Sequence, residues 1–154
     1  MGELRKDYIL DRYVIIATER AKRPHDFKSD EENPKENQLC YFCPSNEHLT
    51  PNEIYRWPEN GEDWKIRVFP NKFAAVKPEG KSTLVTDNLF FTYSDSFGYH
   101  EVIVGTNKHG EELADVGEKH LAQLFKIFSK RIKINLNCNG IKYVSVFKNK
   151  GVSA

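Results

Sequence analysis

Cysteine is scarce in this chain, with three among 154 residues, too few for the disulfide framework that holds many small secreted domains together. Charge of one sign is lacking as well. A formal net charge of +1 gives no general reason for attraction to nucleic acid or to a membrane surface. Long apolar runs are missing, so no stretch is a candidate membrane span, and no leader with a basic start and an apolar centre opens the chain. Neither an internal repeat nor a low-complexity tract is present. These gaps leave a protein expected in the reducing cytoplasm. Its 39% hydrophobic and 29% charged residues suffice for an ordinary buried core. The length suits one domain, residues 1–154, or one piece of a larger protein.

Two of the three cysteines stand together in Gln38-Leu39-Cys40-Tyr41-Phe42-Cys43-Pro44. A short loop of this spacing can aim two thiolates at one tetrahedral cation, which then needs further ligands from elsewhere. Five histidines are available: His25, His48, His100, His109 and His120. His109 lies in the Gly105–Gly110 turn, where a side chain is free to face inward, and stands ahead of His48. His100 falls in a strand and is expected to face a sheet. His120 is expected on the polar side of a helix. A metal-free cysteine pair stays open, whereas a thioredoxin-type redox pair is disfavoured because Pro44-Ser45-Asn46 does not open a helix. Cys138 is expected to be a bystander.

Strand-like runs occur at Tyr13–Ala17, Ile54–Trp57, Lys65–Phe69, Tyr99–Val104 and Ile141–Phe147. The third alternates as a half-buried strand should and meets Pro70. Lys28–Gln38 and Pro78–Asp87 read as loops. One long helix is expected from Asp115 as N-cap, with Glu118 completing a capping box. Its apolar stripe is Leu121, Leu124, Phe125, Phe128 and Ile132, and Asn137–Gly140 ends it. The predicted class is α+β, an antiparallel sheet with one long packed helix.

A second grouping suits an anionic ligand. Arg20, Lys22 and Arg23 sit beside Pro24, and arginine's planar fork matches phosphate oxygens. Such a cluster alone is usually a solvated face. Two further turns, Phe69-Pro70-Asn71-Lys72 and Phe147-Lys148-Asn149-Lys150-Gly151, each place an aromatic residue two positions before an asparagine. A ring face and an amide together suit a nucleotide.

The ordered series Arg20-Ala21-Lys22-Arg23-Pro24, Cys40-Tyr41-Phe42-Cys43-Pro44, Val68-Phe69-Pro70-Asn71-Lys72, His100-Glu101-Val102-Ile103-Val104 with His109, and Phe147-Lys148-Asn149-Lys150-Gly151 resembles the N-terminal half of the galactose-1-phosphate uridylyltransferase family. That family is a branch of the histidine-triad superfamily. The resemblance implies exchange of a uridylyl group between UDP-glucose and galactose 1-phosphate in galactose metabolism, through a covalent uridylyl-histidine. It implies UDP-glucose, UDP-galactose and hexose 1-phosphates as partners, and a homodimer. By resemblance, Arg20, Arg23 and Asn149 approach the phosphates, and Phe69 and Asn71 the uridine. Cys40, Cys43 and His109 supply three ligands of a structural Zn2+.

Two departures qualify this. Lys72 stands where bacterial relatives often carry Asp, which leaves nucleotide preference open and keeps a phosphorylase acting on ADP-glucose or a dinucleoside polyphosphate in view. The family's catalytic His-Pro-His, which would bring the fourth zinc ligand and the nucleophile, is absent from the sequence. The chain therefore reads as a histidine-triad-like N-terminal domain cut before the catalytic motif, incomplete at its C-terminal end and inactive alone. A non-catalytic, zinc-stabilised binding module is the rival from another class.

Overall fold

A computed structural model describes residues 2–17, 39–61 and 63–149. It contains seven strands and one long helix: β1 (Glu3–Asp7), β2 (Arg12–Ile16), β3 (Tyr55–Trp57), β4 (Ile66–Pro70), β5 (Val85–Asp87), β6 (Phe91–Asp95), β7 (Glu101–Val104) and α1 (Glu118–Leu136). The α+β class predicted from the sequence holds, with the strands in two sheets of order β2-β1-β6-β5 and β3-β4-β7. The chain divides into two compact units, Met1–Arg23 with Phe69–Val102, and Pro24–Val68 with Ile103–Ala154.

In the first unit β1 is the centre of an antiparallel sheet. It pairs with β2 in the register Glu3↔Ile16 to Asp7↔Arg12 and with β6 in the register Glu3↔Asp95 to Arg5↔Tyr93. The sequence reading has a strand at β2 but none at β1, and β5 falls in its Pro78–Asp87 loop. Both are short and charged or polar, so neither shows an apolar period. Each is held as a strand by its neighbours' backbone groups, because sheet propensity depends on the partners.

The second unit is built on burial. Ile66 and Val68 of β4 pack with Leu124 and Ile127 of α1, and Tyr55, Trp57, Ile103, Leu113, Leu121 and Phe128 close around them. β4 is buried at every position from Ile66 to Phe69, not at alternate ones, so it is covered on both faces. The helical stripe runs through Leu121, Leu124, Ile127 and Phe128, the i, i+3, i+4 spacing of one face. Phe125 is 57% exposed and lies off it, meeting only the edge of Phe128 with ring centres 5.8 Å apart among the ring contacts seen.

Two boundaries differ from expectation. Gly117, without a side-chain cap, precedes α1. Asp115 instead turns its carboxylate back to accept the Glu112 N–H at 2.9 Å, which closes a preceding turn and leaves nothing for the helix. Ile141–Phe147 forms no strand: residues 141–149 are irregular and mostly exposed, and a β-prone run without a ladder partner does not become a strand. The helix does end at Asn137, as predicted.

Replacing Leu124 by Ala is expected to destabilise the protein by about 2–5 kcal/mol, the usual cost of emptying a packed leucine site. Phe125→Ala is expected to cost about 1 kcal/mol or less, since its ring is largely solvated. Urea unfolding of both variants checks the pair, and equal losses would show that the helix face is misassigned.

Candidate functional site

The cysteine loop folds as two overlapping turns. The Cys43 N–H donates to the Cys40 carbonyl at 3.4 Å and the Asn46 N–H to the Cys43 carbonyl at 3.2 Å. The Asn46 side chain also donates to the Cys40 carbonyl, at 2.8 Å. Ser45 takes a positive φ of 74°, the left-handed conformation that lets so tight a loop reverse. These constraints point both thiols the same way.

His109 arrives from a second braced loop. Thr106 Oγ1 contacts the Glu111 carboxylate and accepts the Lys108 N–H at 3.2 Å, while Lys108 Nζ reaches Glu111 at 3.1 Å. The hydroxyl contact first, and then Lys108, hold the Glu111 carboxyl below its ordinary range. Gly110, at φ 77°, makes the turn that follows the histidine. Cys43 Sγ lies 3.3 Å from His109 Nδ1. The donor atoms of Cys40, Cys43 and His109 all fall within 4.8 Å of one another, beside a cavity of about 160 Å³ lined by both loops.

This donor set fits a metal. Bonds of ~2.3 Å to sulfur and ~2.0 Å to nitrogen span a tetrahedron with edges of roughly 3.3–3.8 Å, a range that includes the 3.3 Å between Cys43 and His109. Two soft sulfurs and one imidazole favour zinc among common divalent ions. Burial, followed by a hydrogen bond with Cys40, pushes the Cys43 thiol above its ordinary value. A bound cation reverses that preference by stabilising the thiolate. Among the described residues this is the only such cluster. His48, in the short 3-10 turn Glu47–Leu49, is not part of it. Cys138 is also apart from it; its thiol contacts the Ile134 carbonyl at 3.5 Å.

Directly after the loop comes a polar network that the sequence reading passed over. Arg67 of β4 is 2% exposed, although the alternation of β4 assigned it to solvent. Its Nε donates to Glu53 at 2.9 Å and its Nη2 to Thr50 Oγ1 at 3.2 Å, and the guanidinium sits 5.3 Å from the Trp64 ring centre. Arg56 shares Glu53, and the Trp64 indole donates to Glu47 at 2.6 Å. The acids are the signal that was available: Glu47 and Glu53 flank the loop's exit, and a buried cation needs such partners. Trp64 most strongly holds Glu47 below its ordinary value. Burial works against Glu53, but hydrogen bonds from Arg56 and Arg67 outweigh it and hold that carboxyl down too.

The nucleotide-side candidates are placed less uniformly. Arg20 and Arg23 lie outside the described residues. Phe69 is 2% exposed, so its ring offers no open stacking face. Asn71 is half-buried and bonded, its Oδ1 accepting the Phe73 N–H at 2.8 Å and its Nδ2 lying 3.1 Å from His100 Nε2. Asn149 is exposed in the irregular segment, beside Lys148, which pairs with Glu112. Two histidines depart from expectation. His100 precedes β7 and turns its ring toward the Asn71 turn. His120 is half-buried, 2.6 Å from the Gly105 carbonyl and edge-on to Trp57, because the first turn of α1 leaves that carbonyl within its reach.

With this geometry in hand the family can be stated. The chain belongs to the galactose-1-phosphate uridyl transferase family, matching its N-terminal domain over residues 2–154. It is 36% identical over 157 residues to an ADP-glucose phosphorylase of Arabidopsis thaliana, an alignment covering 99% of this chain and 44% of that protein. It is 27% identical over 153 residues to a galactose-1-phosphate uridylyltransferase of Haemophilus influenzae, covering 94% and 40%. A crystal structure of an ADP-glucose phosphorylase from Arabidopsis thaliana with bound ADP-glucose superimposes with a TM-score of 0.64 at 29% identity, covering 99% of this chain and 44% of that one. The chain thus spans less than half the length of these relatives. No helix among the described residues is long and apolar enough to cross a membrane.

Purified protein titrated with Zn2+ against a chromophoric chelator is expected to bind one equivalent and release protons, with affinity falling as pH drops because the thiols must ionise. Cys40→Ser and His109→Ala should each weaken binding at least tenfold, whereas Cys138→Ser should match the parent. Undiminished zinc affinity in Cys40→Ser would remove the cluster from consideration. A second outcome follows from Glu47 and Glu53, whose folded values lie below the ordinary 4.5. Their contribution to stability is complete above that pH and is lost as pH falls through the folded values. Acid unfolding should therefore steepen below about pH 4.5, and Glu53→Ala should flatten it while costing about 3 kcal/mol at neutral pH by stranding Arg67.

Proposed function

We propose that this chain forms the nucleotide-sugar-binding, zinc-clamped part of an enzyme that moves a nucleotidyl group between a nucleotide sugar and a phosphate-bearing acceptor. The observation that carries this reading is the convergence of Cys40, Cys43 and His109 in a chain matched to the family along nearly its whole length. The zinc is structural: it fixes the loop from Leu39 to Pro44 and supplies charge and geometry there, not an activated water.

In the first reading the enzyme is a hexose-1-phosphate uridylyltransferase of the cytoplasm, converting UDP-glucose and galactose 1-phosphate to glucose 1-phosphate and UDP-galactose by way of a uridylyl-histidine, and working as a homodimer. The five histidines of this chain include no His-Pro-His, so its residues bind and orient. Arg20, Arg23 and Asn149 donate to phosphate oxygens and offset the charge that builds on them during transfer. Asn71 meets the nucleoside, and the enclosed Phe69 supports the strand end from which Asn71 projects. The second reading is ADP-glucose phosphorolysis, in which phosphate is the acceptor. It is favoured by the 36% identity to the phosphorylase against 27% to the uridylyltransferase, and by Lys72 where the resemblance leads one to look for Asp.

Calorimetric titration with UDP-glucose and ADP-glucose in parallel tests both readings. One of the two is expected to bind at least tenfold more tightly, and Asn71→Ala is expected to weaken that ligand about tenfold, as loss of a hydrogen bond of ~1.4 kcal/mol would. Binding of neither ligand, by the zinc-loaded protein, would set the proposal aside.

A further inference from the structure

We propose that His100 is a positioning residue for Asn71, setting both the backbone of the Asn71–Ala75 turn and the direction in which the Asn71 amide points. Its bearing on nucleotide binding rests on the function proposed above; its geometry does not. The His100 carbonyl accepts the Asn71 N–H at 2.8 Å. Its ring Nδ1 accepts the Ala75 N–H at 3.1 Å, and its ring Nε2 lies 3.1 Å from Asn71 Nδ2. One residue thus holds the beginning and the end of the turn. Between them, Asn71 Oδ1 accepts the Phe73 N–H at 2.8 Å.

The chemistry of the ring makes this more than a staple. A neutral imidazole has one nitrogen that accepts and one that donates. A peptide N–H can only donate, so Ala75 fixes Nδ1 as the acceptor and places the proton on Nε2. That Nε2–H faces the Asn71 amide and can donate to its oxygen. The Phe73 N–H needs the same oxygen. Asn71 therefore has two orientations, one satisfying Phe73 and the other His100, related by a half-turn of the amide. In the second, the amide NH2 and the Phe73 N–H stand as neighbouring donors, matched to an acceptor atom on an incoming nucleotide. His100 keeps Asn71 poised between the two, and a ligand acceptor decides which is adopted.

Histidine-selective 15N NMR on the intact chain gives the first test. His100 is expected as the Nε2–H tautomer, and the Nδ1–H tautomer overturns the proposal. Hydrogen exchange then separates positioning from general packing. The side-chain oxygen of asparagine falls where histidine carries Nδ1. His100→Asn should therefore keep Ala75 amide protection within about twofold of the parent, while His100→Ala should lose about tenfold or more, as the N–H loses its acceptor. Equal protection in parent and His100→Ala overturns the proposal. Titration of the same proteins with ADP-glucose and UDP-glucose completes it, with His100→Ala expected to bind about tenfold more weakly than the parent. If the parent binds neither ligand the function proposed above fails, while the tautomer and exchange results still decide the role of His100. If His100→Ala binds as tightly as the parent, the positioning role fails.

Discussion

A buried cation, Arg67, constrains the unit that carries the metal candidates. A guanidinium taken out of water is costly unless its donors are met and its charge is balanced. Here the balance comes from Glu53, the acceptors from Glu53 and Thr50, and a flat apolar cover from Trp64. Thr50 and Glu53 lie in the segment that leaves the cysteine loop, and Trp64 is tied to that segment through Glu47. The loop's exit cannot move without stranding the charge, so the thiols are held by more than their own turns. The same residue sits on β4, whose neighbours Ile66 and Val68 belong to the apolar core. Core, strand and loop are thereby fixed to one another by one side chain.

How far this could be read from the sequence follows the range of each interaction. The cysteine pair is a local, chemically distinctive signal, and its partner His109 was found because a turn leaves a side chain free to reach. Helix α1 was legible from its period, yet its start was not. Asp115 has the right identity for a cap, but an N–H three residues upstream takes its carboxylate first. Arg67 and His120 share one reason: polar side chains on regular elements read as solvent-facing until the tertiary partners that satisfy them are known; His100, expected to face a sheet, instead precedes β7 and meets the Asn71 turn. Arg20 and Arg23 stay expectations of the sequence, since they fall outside the described residues.

The asparagine turn and the metal cluster differ in kind. The cluster brings three donor atoms within 4.8 Å of one another, a set that fits one ion. The turn is held by hydrogen bonds among Asn71, Phe73, Ala75 and His100. In the function proposed above, Cys40, Cys43 and His109 serve as architecture and Asn71 as contact.

The attachment of the last described segment has a different character. Residues 141–149 are irregular, and Lys148 reaches Glu112 through an ion pair with both side chains more than 40% exposed. Pairs of that kind contribute about 1 kcal/mol or less and are screened by dissolved ions over ~8 Å at physiological strength. The location of the neighbouring Asn149 is thus tied to the ionic medium, in a way that the hydrogen-bonded Asn71 is not. Asn71 is held by neutral dipoles, whereas the segment that carries Asn149 is held through a screened ion pair.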